Sequence, residues 1–132
     1  MSSSSGACVF CQIVRGEAPA IIVERWPDAV AFVPLRPVVK EHRGHVLVVP
    51  RTHAEDFMTD PAVTEATSRR AAELGAELLA AARAADPDAP VGLNMISSAG
   101  DPATQTVYHL HIHLLIRRPG DKITLPWTGQ ED

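Results

Sequence analysis

The chain has 132 residues, 45% of them hydrophobic, with a formal net charge of -4, enough for one domain with its own core. Its mild acidity excludes the clustered Lys and Arg on which binding of polymeric nucleic acid rests, so any nucleotide recognised should be small. No stretch approaches the ~18 apolar residues of a membrane helix, and the Ser-rich start has neither a basic region nor an apolar run, so a cytoplasmic protein without membrane contact is expected.

Residues 1–7 read as a disordered N-terminal segment and 8–132 as a single domain. Val9 to Gly16 is a short helical turn closed by Gly16, a natural C-cap residue. Ile21 to Trp26 and Ala29 to Pro34 are short apolar runs separated by Pro27-Asp28, which predicts a hairpin. Leu35 to Gly44 is loop-like, with Pro37 and a charged Lys40-Glu41-His42-Arg43 run that reads as solvated surface. His45 to Val49 follows as a third strand stopped by Pro50.

Asp60 is an N-cap and Pro61 the first residue of a long helix running to about Ala85. Val63, Ala66, Arg70 or Ala71, Leu74, Leu78 and Ala81 recur at three or four residues and predict its packing face, with Glu65 four before Arg69 outside. Asp86 to Pro90 ends it. Val91 to Ser97 is a fourth strand, Gly100-Asp101-Pro102 a loop, and Val107 to Ile116 the fifth and longest strand. Strands with one dominant helix predict an α+β domain built on a five-stranded antiparallel sheet, with one long and one short helix.

Alternation along the last strand places Val107, His109, His111, His113 and Leu115 on one face and Tyr108, Leu110, Ile112, Leu114 and Ile116 on the other. The imidazoles would stand at intervals of roughly 6.5 to 7 Å. A lone strand histidine is ordinarily a hydrogen-bonded structural residue, whereas three in register need a reason. Imidazole supplies a nucleophile, a hydrogen-bond donor to phosphoryl oxygen, or a zinc ligand, and the chemistry of the row leaves these open.

The surrounding residues narrow the choice. Gln105-Thr106-Val107-Tyr108-His109-Leu110-His111-Ile112-His113-Leu114-Leu115 resembles the histidine triad signature. The similarity extends to Asn94, to Val46-Leu47-Val48-Val49-Pro50-Arg51-Thr52-His53, to Ala31-Phe32, and to Cys8-Val9-Phe10-Cys11-Gln12-Ile13 with Gly16-Glu17. The resemblance implies a nucleotide hydrolase or transferase acting at the α-phosphate of a nucleoside phosphate derivative, such as a phosphoramidate or dinucleoside polyphosphate. By motif position His111 is the nucleophile, forming a nucleotidyl-histidine that water resolves. His113, Gln105, Thr106 and the Val107 backbone N–H would surround the phosphate, and Asn94 would reach phosphate or ribose. Val9, Phe10, Ile13 and Phe32 fall where the family builds its apolar base pocket, though ordinary core packing explains them as well.

Cys8-x-x-Cys11 alone fits a redox pair, a metal half-site or two inert thiols. Family members that keep this pair close a structural zinc site with the residues corresponding to His53 and His109, four ligands with no open position. The resemblance also implies a homodimer joined through the long helix and the fourth strand into a continuous sheet, with Leu74 and Leu78 as interface anchors. The tail Leu125-Pro126-Trp127 would lie near an active site or cap the sheet. The sequence departs from the family pattern at Pro34, where many members carry a ribose-holding Asp, at Thr104, where Gly is common, and in a longer loop from Val38 to Gly44. Two competing readings are a catalytic zinc held by the histidine row and a catalytically weak nucleotide-binding or protein-interaction module.

Overall fold

The computed structural model describes residues 7–34 and 44–128; the expectations for residues 1–6 and for the loop over 35–43 lie outside them. In chain order the elements are α1 (Val9–Val14), β1 (Ile21–Arg25), β2 (Ala29–Val33), β3 (His45–Pro50), α2 (Pro61–Ala85), β4 (Gly92–Ile96) and β5 (Ile112–Arg117), with a single 3-10 turn at Asp101–Ala103 before β5. The strands form one five-stranded sheet in the order β1-β2-β3-β5-β4, and every neighbouring pair is antiparallel. The expected α+β class and element count are those observed.

Local chemistry accounts for the helix ends. The Cys8 sulfur caps α1 by accepting from the Cys11 N–H at 3.4 Å, and the chain leaves the helix through Gly16 at φ +76°, a conformation glycine adopts without a Cβ clash. Asp60 caps α2 by accepting from the Ala62 N–H at 3.1 Å, with Pro61 in the first turn.

The sheet buries both faces. On one, Ala29, Ala31, Val46, Val48, Ile112 and Leu114 pack against Ala71 and Leu74 of α2. On the other, Val30, Phe32, Leu47 and Val49 pack against Cys8, Phe10, Cys11 and Ile13 of the α1 segment. Truncating a fully buried leucine such as Leu114 would cost about 2–5 kcal/mol through lost burial and the cavity left behind. Gly44, at φ +90°, passes so close to Ile116 that a Cβ there would lie 2.9 Å from the Ile116 Cβ. Only glycine fits that entry to β3.

Three sequence expectations change. The buried face of α2 is Thr67, Ala71, Leu74 and Gly75, while Ala81 is exposed. Thr67 can be buried because its hydroxyl donates to the Val63 carbonyl at 2.7 Å, which removes the cost of an unsatisfied polar group. Leu74 is 4% exposed within a single protomer, so it belongs to the internal core and is no interface anchor; Leu78 stays partly buried beside it. Finally, β5 begins at Ile112 rather than Val107. Its ladder with β3 starts at Val48–Ile112, and two residues further along β3 stands Pro50, which has no N–H to donate. The Leu110 N–H instead bonds the Ala54 carbonyl at 2.6 Å, and residues 107–109 form a bend outside the ladder.

Candidate functional site

That bend divides the histidine row. All three side chains remain on the α1 side of the sheet, with the Phe10 ring meeting His109 edge-on at 6.0 Å and His111 at 5.1 Å. Beyond this they serve two centres.

His109 turns toward the cysteines. Its Nδ1 lies 3.4 Å from each of the Cys8 and Cys11 sulfurs and 3.2 Å from the His53 Nδ1, which is itself 3.2 Å from the Cys11 sulfur. The four ligand atoms all lie within 4.8 Å of one another. A tetrahedron with Zn–N of about 2.05 Å and Zn–S of about 2.3 Å has N–N edges of about 3.3 Å and S–N edges of about 3.5 Å, which these spacings match closely. The His109 Nε2–H donates to the Pro50 carbonyl at 2.9 Å, leaving the Nδ1 lone pair directed into the cluster, as metal-binding imidazoles are usually held. Two imidazole nitrogens and two sulfurs this close could hold a metal ion between them. Without one, burial pushes the Cys11 thiol up to about 11 and His109 down to about 4. The donor set therefore suits zinc, with no position left open for a substrate. Only His109 of the row enters this cluster.

His111 and His113 form the second centre, with rings 5.0 Å apart. The His111 Nδ1–H donates to the His109 carbonyl at 2.8 Å, and that carbonyl bond selects the tautomer whose Nε2 carries the free lone pair. Burial lowers the His111 pKa, which favours the uncharged ring. The Ser97 hydroxyl donates to the His111 carbonyl at 2.7 Å and fixes the backbone on the other side. His113 stacks on His45 at 5.1 Å, with its Nδ1 2.9 Å from the His45 Nε2. Burial, followed by His111 and His45, lowers His113 to about 4.

The remaining expected residues take varied places. Gln105 is buried, and its amide is engaged with backbone: Nε2 donates to the Glu55 and Val107 carbonyls at 2.6 and 3.1 Å, and Oε1 accepts from the Gly100 N–H at 2.8 Å. Thr106 is exposed and Val107 half-buried. Thr104, which precedes this loop, has φ +72°, the left-handed conformation that its position as a common glycine in the signature implies. Asn94 stands on β4 opposite Leu115, its Oδ1 accepting from Arg117 at 2.6 Å. Phe10, Ile13 and Phe32 are core residues, Phe10 meeting Phe32 edge-on at 5.4 Å, while Val9 is 42% exposed. Trp127 is 66% exposed. His45, Ser97 and Arg117 were not singled out from sequence. A signal existed for Arg117, which continues the odd-numbered face of the histidine row.

The HIT domain model matches residues 15–120. The chain belongs to the histidine triad family. An uncharacterised HIT-like protein of Mycobacterium tuberculosis is 39% identical over 119 residues, covering 89% of this chain and 76% of that one. A zinc-bound histidine triad family protein from Mycobacterium smegmatis superposes with a TM-score of 0.73 at 38% identity, over 92% of this chain and 83% of that one. A HIT family hydrolase from Clostridium thermocellum gives a TM-score of 0.69 at 26% identity, over 90% of this chain and 97% of its own.

Proposed function

We propose that this histidine triad protein is a nucleotide hydrolase or transferase that attacks the α-phosphate of a nucleoside phosphate derivative with His111. The observation that carries the reading is the His111 Nδ1–H bond to the His109 carbonyl, which leaves Nε2 as a neutral, fixed nucleophile. In the first step the Nε2 lone pair attacks the α-phosphorus and the bond to the leaving group breaks, the departing group taking the bonding pair and, where it is an amine, a proton from solvent. The Nδ1–H stays on the ring, and the positive charge of the nucleotidyl-imidazole is met by the His109 carbonyl. Water then attacks phosphorus and gives up a proton to solvent, the P–N bond breaks with its electron pair returning to Nε2, and the neutral imidazole is regenerated. Splitting one displacement into two is the gain of covalent catalysis.

In this reading His113, Thr106, the Val107 N–H and Asn94 supply donors to the nucleotide, and Gln105 contributes by fixing the loop that presents them. Phe10 walls the base pocket over Ile13 and Phe32, with Val9 at its outer edge. Zinc would be held by Cys8, Cys11, His53 and His109, and the chemistry it supplies is structural, pinning α1 to the end of β3 and the start of β5. The protein would act as a homodimer. The support is an edge strand, β4, that exposes Met95 at 45% beside an open cavity of about 210 Å³ lined by Phe57, Thr64, Ser68, Met95, Ser97 and Ile112. That cavity lies on the α2 side of the sheet, away from the His111 ring.

The test is incubation with a labelled nucleoside phosphoramidate and, separately, a dinucleoside polyphosphate, followed by an acid-sparing search for a nucleotidyl-histidine. An adduct on His111 is expected. Turnover without an adduct in a His111→Ala variant at the parent rate would overturn the assignment.

A further inference from the structure

Arg117 ends β5 on the same face as His113, and each of its three guanidinium nitrogens donates a hydrogen bond. Nε and Nη2 donate to the two Asp121 carboxylate oxygens at 2.8 and 3.2 Å, Nη2 also donates to the Ile123 carbonyl at 2.8 Å, and Nη1 donates to the Asn94 Oδ1 at 2.6 Å. The pair is mostly shielded, with side-chain exposures of 21% for Arg117 and 13% for Asp121. Asp121 is held in turn by the Arg118 and Ile123 N–H groups, each at 3.1 Å. These bonds, with Arg117 first, hold its carboxyl far below the usual range. Two residues in left-handed conformation, Gly120 and Lys122, shape the turn that returns Asp121 to the strand end.

The consequence falls on Asn94. A guanidinium has donors only, so the amide must present oxygen to it; a flipped amide would set N–H against N–H. Both Asn94 N–H groups are therefore directed away from Arg117. We propose that Arg117 is a positioning residue for nucleotide binding, orienting the Asn94 amide as a double donor toward the ligand and tying that orientation to the C-terminal segment, residues 118–128. Sequence alone gives Asn94 no fixed orientation; the clamp does. Substrate affinity thus depends on Asp121 and Ile123 of that segment, which hold Arg117. The inference rests on the nucleotide reading above.

The experiment measures AMP and adenosine binding by calorimetry on the full chain, with KM and kcat for a nucleoside phosphoramidate in parallel. Arg117→Lys keeps the charge but cannot serve Asp121 and Asn94 as a planar fork. It is expected to raise the Kd for AMP about tenfold, the effect of losing one oriented hydrogen bond, and to raise KM while leaving kcat within about twofold. Asn94→Ala should cost the same, and the double variant should cost no more than Asn94→Ala alone, because the two act as one unit. Asp121→Asn, a milder change, should give a smaller loss in the same direction and covers the case of a poorly folded Arg117 variant. A loss confined to AMP assigns Asn94 to the phosphate, and one shared with adenosine assigns it to the ribose; both support the proposal. Parent-like affinity in Arg117→Lys and Asp121→Asn, or multiplying losses in the double variant, overturns it. A parent protein that binds neither AMP nor adenosine would overturn the nucleotide reading itself, and this inference with it.

Discussion

Thr104 offers a sharp test of how the loop before the histidines is strained. Its φ of +72° and ψ of 23° put a β-branched residue in the left-handed region, where an L-residue costs about 1–2 kcal/mol. Rotation cannot relieve this, because the loop is closed by Thr104 N–H to Asp101 O at 2.9 Å, Gln105 N–H to Gly100 O at 3.1 Å and Gly100 N–H to Gln105 Oε1 at 2.8 Å. Thr104→Gly removes the penalty but adds about 0.5–1 kcal/mol of chain entropy lost on folding, and it forfeits an exposed bond from the Thr104 hydroxyl to the Ala103 carbonyl. The net expectation is a gain of about 0.5–1 kcal/mol. For a chain of 132 residues that raises Tm by about 2–4 °C. Thr104→Ala, which keeps the Cβ and hence the strain, is the control and should stay within about 0.5 kcal/mol of the parent. Thermal and urea unfolding, the latter to confirm an unchanged m-value, measure both. A glycine variant melting at or below the parent temperature would refute the strain argument.

Replacing His111 by Asn should reduce turnover by at least about a thousandfold, as loss of a nucleophile does, with far-UV circular dichroism unchanged. His113→Ala should be milder, and steady-state rates on a phosphoramidate compare the two. The purified protein should carry about one zinc per chain; Cys8→Ser with Cys11→Ser should abolish it by elemental analysis, and chelation should lower Tm before it lowers activity, whereas immediate loss of activity would favour a catalytic metal. The pH dependence follows from His113, which titrates near 6.5 when unfolded and at about 4 when folded. The native state therefore binds fewer protons in that window, and its stability is full above pH 6.5 and declines as the pH falls toward about 4. A His113→Gln variant whose acid sensitivity between pH 6.5 and 4 equals the parent's would contradict the assignment. Light scattering at micromolar concentration should return twice the 14.2 kDa chain mass; a monomer would remove the dimer reading.

The sequence by itself determined the elements whose signals are local. Asp60-Pro61 marked the start of α2 because capping involves neighbouring residues only, and Gly16 marked the exit from α1 for the same reason. Alternation assigned the three histidines to one face, and Phe10 indeed meets both His109 and His111 there. The motif also named the four residues, Cys8, Cys11, His53 and His109, that gather in one cluster. What alternation could not see was where β5 stops being a strand, since that depends on Pro50 in the opposing strand and on the Ala54 carbonyl, both more than fifty residues away in sequence. Thr67 was absent from the predicted packing face because its bond to Val63 O exists only once the helix has formed and packed. Gln105 and Asn94 were legible as residue types but not as orientations. An amide becomes a donor or an acceptor at a given point in space only through the groups it meets, and those groups, Gly100, Glu55, Val107 and Arg117, are brought to it by the fold.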